Sequence, residues 1–166
     1  MERMQVSIRA LTREAFRTYG DVIQVAESRH YTINQGWAER YVDMAALDLL
    51  QDDGKPNVGI VRAEARPMPL RIKLMERHPK SSQLFIPLAP RPFVVLVASP
   101  GNLRPENIVA FKTMAGQGIN YGRGVWHHPL IALDQSTDFL VVDRHAKDEN
   151  CDEVALEHLD LWVGEI

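Results

Sequence analysis

The chain has a single cysteine, no apolar run long enough to cross a membrane, and no surplus of positive charge. With Cys151 alone, no intrachain disulfide can form, so the core must hold the fold, as suits a reducing cytoplasm. Cys151 sits in the polar run Lys147–Glu153, where neighbouring acids would raise its pKa and make it a poor nucleophile. The longest strongly apolar stretch, Phe93–Ala98, falls far short of the roughly 20 residues that span a bilayer. Glu2, Arg3, Arg9, Arg13 and Glu14 occupy the N-terminus in place of the apolar segment of a secretion signal. Lys and Arg number 19 against 22 Asp and Glu, a net charge of −3 that gives nucleic acid or an anionic membrane no electrostatic hold. Repeats, linkers and low-complexity tracts are missing too. The expectation is a soluble, cytoplasmic protein with a small-molecule partner, no nucleic acid and no membrane.

The 166 residues are 45% hydrophobic and 25% charged, which fits one domain over 1–166 with its own core. Thr12 predicts the cap of a short helix over Arg13–Tyr19, with Gly20 as its stop. Strand signals dominate afterwards: Asn57–Arg66, Leu70–Leu74, Gln83–Leu88, Phe93–Ala98, Ile108–Thr113, His127–Leu133 and Thr137–Asp143, divided by Pro, Gly and Asp clusters. Leu156–Val163 would close the sheet or pair with another subunit, and Ala45–Leu50 is ambiguous. Many short strands at this spacing predict a mainly β protein, a jelly-roll or barrel with a short N-terminal helix.

Chemistry concentrates in two places. Gly116–Pro129 reads GQGINYGRGVWHHP, in which four glycines turn the backbone just ahead of two histidines. Gly124-Val125-Trp126-His127 has the Gly-x-x-His form of the second cupin motif, and Glu76-Arg77-His78 followed by Gln83 lies near where the first would place its ligands. In the upstream strand Leu70, Ile72 and Leu74 share a face that, continued, carries Glu76 and His78, leaving Arg71 and Lys73 to water. An inward acid and imidazole are costly unless paired or used; a surface salt bridge at a strand end is the plainer alternative. Gln83 offers a donor and an acceptor on the face of Phe85 and Pro87. His127 shares a face with Pro129, Ile131 and Leu133, which puts it inward, and alternates with Tyr121, Arg123 and Val125, while His128 on the face of Trp126 and Leu130 reads as structural or interfacial. Arg123 suits a bidentate carboxylate clamp, or is a solvated loop charge. Asp138, Asp143 and Arg144 could orient these groups or form ion pairs; Asn34 and Arg40 are weaker candidates.

In these residues the chain resembles the ureidoglycolate lyase family over nearly its whole length. The resemblance runs through Tyr19–Ile23, Glu39-Arg40-Tyr41, Glu76-Arg77-His78-Pro79, Gln83-x-Phe85-Ile86-Pro87, Gly118-x-Asn120-Tyr121, Val125–Pro129 and Thr137–Leu140. It implies a cupin-like β-barrel, a homodimer, and cleavage of (S)-ureidoglycolate to glyoxylate and urea in allantoin and purine breakdown. Nickel or another divalent metal is associated with the family. Where cupins commonly offer three histidines and a glutamate, this chain offers Glu76, His78, Gln83 and His127, with the neutral Gln the poorest ligand. On this reading Glu76, His78 and His127 are catalytic, the base being His127 or Glu76 and the acid His78 or a water it holds. Gln83, Tyr121 and Arg123 bind substrate. Two other readings keep the barrel: a metal-dependent isomerase or oxygenase acting on another small acid, and a non-catalytic small-acid binding module.

Overall fold

The computed structural model describes residues 2–164. Two β-sheets face each other in a cupin-like jelly roll. The first runs Asp152–Ala155, Leu74–Arg77, Trp126–His127, Phe93–Ala98, Val109–Lys112 and Ile8–Ala10, with Ile131–Ala132 also pairing onto Phe93–Ala98. The second runs Gly20–Ile23, Gly118–Tyr121, Gln83–Pro87, Thr137–His145 and Lys55–Ala63. Met4–Val6, Leu161–Val163 and Leu70–Arg71 form a third, three-stranded sheet. The C-terminal segment thus closes a sheet within its own chain.

Phe93–Ala98 explains the layering. All six residues are buried, and its side chains alternate between two different cores. Phe93, Val95 and Val97 join Phe16, Phe85, Phe111, Tyr121 and Phe139 between the two large sheets. Val94, Leu96 and Ala98 pack with Leu70, Ile72, Met75 and Leu161 beneath the small sheet. A strand covered on both faces reads as an unbroken apolar run, which is how this one stands in the sequence.

Several boundaries differ from expectation. The helix covers only Arg13–Phe16, with the Thr12 hydroxyl accepting from the Ala15 amide at 3.1 Å. Gly20 does not stop it; Gly20 opens a strand at φ +145°, where an added Cβ would lie 1.9 Å from the Asn120 carbonyl oxygen. The predicted Leu70–Leu74 strand is interrupted at Ile72 and Lys73, which bond to Leu161 and Leu156 in turn as the chain passes from one sheet to the other. That break shifts the alternation by one residue. Ile72 and Met75 share the outer core, so Glu76 and Leu70 do not lie on one continuous face. Arg71 is half-buried on the Glu157 and Leu159 carbonyls rather than in water. The predicted His127–Leu133 strand is likewise two short ones, Trp126–His127 and Ile131–Ala132.

Two features lie outside the large sheets. His30–Ile33 and Ala38–Tyr41 form a hairpin whose turn holds Asn34 and Gln35 in left-handed conformations and leaves Trp37 90% exposed. The ambiguous Ala45–Leu50 stretch is irregular and lies along the second sheet, tied by Ala46 to Asp21 and Asn120 and by Asp48 to Ser82.

Candidate active site

The site forms where the Leu74–Arg77 and Trp126–His127 strands pair, with Glu76 directly opposite His127. Paired residues project to the same face of a sheet, so the register alone delivers the carboxylate to the imidazole. The Trp126–His127 strand also pairs with Phe93–Ala98, placing Val97 on His127's other side. Trp126 turns outward, stacking under Arg77 at 4.5 Å, while the His127 ring lies flat on Tyr121 at 4.2 Å and 8°. From the facing sheet come Tyr121 and Gln83, which pair with each other across neighbouring strands. His78 follows the end of its strand, its ring 5.1 Å from that of His127.

Backbone carbonyls fix the protons of both imidazoles. His127 Nδ1 donates to the Val125 carbonyl at 3.1 Å, and His78 Nδ1 donates to the Asn150 carbonyl at 2.8 Å. Each ring therefore turns Nε2 toward the site. His127 Nε2 lies 3.4 Å from Glu76 Oε1, yet it is buried with no hydrogen-bond partner among the described residues. Its ring proton is already on Nδ1, so a lone pair faces the carboxylate. His78 Nε2 meets Gln83 Oε1 at 3.1 Å. The carbonyl end of Gln83 would accept from an Nε2–H, and its amide end would donate to a bare Nε2.

Burial pushes the His127 pKa below its usual value, against the pull of Glu76. The Glu76 carboxyl is lowered below the ordinary carboxylate range by the hydrogen bond that His127 Nε2 gives it whenever that ring carries a second proton, against its own partial burial. An ionised carboxylate thus confronts a neutral imidazole lone pair. A divalent cation resolves that confrontation, and the donor set suits one: ligand atoms of Glu76, His78 and His127 all lie within 4.8 Å of one another. Backbone bonds on the far ring nitrogens are the usual means of orienting metal-binding histidines. Tyr121, buried beside Glu76, has its phenol pKa raised and stays neutral.

The structure brings together Glu76, His78, Gln83, Tyr121 and His127, but engages Arg123 elsewhere. Its guanidinium is bidentate on Asp48 at 2.7 and 2.6 Å and also reaches Gln51. Asp138 pairs with Arg62, Asp143 with Asn57, and Arg144 with Asp148 and the Gln51 carbonyl; none of them contacts the histidines. Asn34 and Arg40 lie on the exposed hairpin. His128 is buried, its Nδ1 on the Pro129 carbonyl at 2.7 Å. Two neighbours were not foreseen. Asn150 orients His78, a backbone contact that leaves no trace in residue type. Cys151 lies 4.0 Å from Glu76 Oε2, its thiol pKa raised first by partial burial and then by Glu76.

A match to the ureidoglycolate lyase family covers residues 3–163. A ureidoglycolate lyase of Burkholderia cepacia is 49% identical over 151 residues, covering 90% of this chain and 85% of that one. One from Pseudomonas syringae pv. tomato is 47% identical over 150 residues, covering 89% and 88%. Another, from Burkholderia mallei, is 44% identical over 158 residues, covering 95% and 92%. The family match over residues 3–163 and identities of 44–49% across most of the chain place it in the ureidoglycolate lyase family.

Proposed function

We propose that the chain cleaves (S)-ureidoglycolate to glyoxylate and urea, the step by which allantoin and purine breakdown releases urea nitrogen. Beyond family membership, one observation carries this reading: the buried, unpartnered His127 Nε2 facing the Glu76 carboxylate. The substrate is a hemiaminal whose central carbon bears a hydroxyl, a carboxylate and a ureido nitrogen. Elimination removes the hydroxyl proton, forms the glyoxylate carbonyl, breaks the C–N bond and returns a proton to the urea nitrogen.

His127 is neutral with its lone pair inward, so it takes the hydroxyl proton on Nε2. Glu76 then stabilises the imidazolium that forms. His78, carrying a proton on Nε2 while the Gln83 carbonyl faces it, supplies the departing nitrogen. An acid and a base so placed contribute on the order of 10²–10⁴-fold each. Tyr121 excludes water and holds the His127 ring flat against its own. Gln83, keeping its carbonyl on His78, donates from its amide nitrogen to the ureido carbonyl. Arg123 meets the substrate carboxylate by exchanging it for Asp48, one bidentate partner for another. In place of these proton-transfer roles, Glu76 and the Nε2 atoms of His78 and His127 would hold a divalent ion, nickel being the one the family resemblance suggests, with Gln83 the weakest donor nearby. When bound it would polarise the substrate hydroxyl and lower its pKa.

The quaternary reading is a homodimer. Its support is the outer face of the second sheet, where Val58 and Ile60, 68% and 57% exposed, pair with Val142 and Leu140 to make a continuous apolar surface. A reducing cytoplasm is the compartment that the single unpaired Cys151 fits. No helix among the described residues is long and apolar enough to cross a membrane.

The deciding experiment is urea and glyoxylate release from racemic ureidoglycolate, corrected for spontaneous decay, with and without chelator pretreatment. Equal amounts of both products, stopping at half the racemate, are expected. No acceleration in either arm, even with nickel or manganese restored, would overturn the reading.

A further inference from the structure

His78 is held differently from His127, which sits inside a strand. The pairing of Leu74–Arg77 with Asp152–Ala155 ends at Arg77 opposite Asp152, so His78 stands beyond the ladder, in the turn that leads to Ser82. Its acceptor, the Asn150 carbonyl, is 72 residues away in sequence. Asn150 lies in the irregular crossover from Thr137–His145 on the second sheet to Asp152–Ala155 on the first. Among the described residues, then, strand pairing fixes neither end of that 2.8 Å bond. The Asn150 side chain ties the two ends together. Its Oδ1 accepts from the Lys80 amide at 2.7 Å, and its Nδ2 donates to Ser81 Oγ at 2.8 Å. A backbone N–H can only donate, which sets the carboxamide oxygen toward Lys80 and its nitrogen toward Ser81. One residue thus closes three hydrogen bonds onto the short stretch His78–Ser81.

We propose that Asn150 is a positioning residue for the reaction: its carboxamide, clamped on Lys80 and Ser81, keeps its own carbonyl on His78 Nδ1 and thereby keeps His78 Nε2 aimed into the site. The inference rests on the reading of His78 as a group of the active site. The acceptor itself is main chain, which any residue supplies; the side chain decides whether it stays in place. With the carbonyl fixed, Nδ1 is always the outward donor and the ring has one orientation. With the carbonyl adrift, the ring turns over and its proton moves between the two nitrogens, so the atom offered to the substrate changes. A second tie joins the same segments, since the Lys80 ammonium lies 2.5 Å from Asp148. That ion pair is open to solvent and contributes little. The carboxamide bonds matter more, because Ser81 is only 2% exposed and water does not readily replace its partner.

The test compares Asn150→Ala with Asn150→Asp in the full-length protein. It reads kcat and KM beside the His78 ring signals in nitrogen-15 histidine NMR, assigned by their loss in His78→Gln. In the parent protein the His78 Nδ1–H should be protected from exchange with water. Asn150→Ala should lose that protection and lower kcat by about 10–100-fold while leaving KM little changed. Asn150→Asp should restore both, because its carboxylate still accepts from the Lys80 amide and now accepts from the Ser81 hydroxyl turned round. Should Asn150→Ala not fold, Ser81→Ala breaks one bond of the clamp and should move both readouts the same way. A merely structural role would lower the unfolding temperature with ring signal and kcat unchanged. That result would overturn the proposal, as would an aspartate variant no better than the alanine one. A parent protein without ureidoglycolate turnover would sink the lyase reading, and the ring signal would still decide the clamp.

Discussion

His127 is held neutral by burial and oriented by the Val125 carbonyl, so its work is confined to one nitrogen. Replacing it by alanine removes that nitrogen and opens a small gap beside Tyr121, but breaks no ladder bond, since strand pairing uses the backbone. His127→Ala should therefore lower kcat by about 10²–10⁴-fold. Circular dichroism and thermal unfolding should stay close to those of the parent; turnover within tenfold of the parent would remove His127 from the chemistry. Arg123 carries a different lesson at this scale. Its spacing from His127 suggested a free clamp, yet Asp48, 75 residues away in sequence, already holds it. Nothing local to Arg123 announces so distant a carboxylate.

At the scale of elements, the strands that face one core and carry period-2 patterns were legible, and so was the buried rod of Phe93–Ala98. What escaped were changes of partner. Leu70–Arg71 pairs with Leu161–Val163 and Leu74–Arg77 with Asp152–Ala155, so the alternation slips at the crossing between them. Extrapolating the face of Leu70 and Ile72 still led to Glu76, which the register sets opposite His127, but through a wrong parity. Gly118–Tyr121 was missed as a strand because its glycine lowers the propensity. That glycine is there because an added Cβ would sit 2.7 Å from the Phe85 carbonyl oxygen. Gly20 is stricter, combining a positive φ with backbone contact on Asn120. Gly20→Ala should cost about 3 kcal/mol through strain at that bridge, read as a lowered midpoint in urea unfolding. An unchanged midpoint would show that the strand can move aside.

For the molecule as a whole, the outer face of the second sheet is the feature left uncovered. Ile60 and Val58 project from the last strand of that sheet, next to Leu140 and Val142. A single chain gains nothing from such a surface, and a second copy laid on it would bury it. Light scattering should report twice the chain mass, and Ile60→Lys should shift it to one chain mass without changing the circular dichroism spectrum. A parent protein that is monomeric at assay concentration would discard this face as a subunit contact.

The row Val97, His127, Glu76, Glu153 crosses four adjacent strands. Val97 is fully enclosed, His127 is 2% exposed, Glu76 is half-covered and Glu153 stands in water. Side chains a strand-width apart thus descend from hydrocarbon to solvent like the treads of a stair, with the polar groups on the lower steps. Traffic along that stair runs one way for each sign of charge. A cation coming from solvent would climb it past two carboxylates and stop at the valine, while an anion repelled by them would have to arrive from the flank, past Tyr121 and Gln83. The sheet's register, fixed by backbone pairing alone, would thereby separate the approach of a cation from that of a small acid.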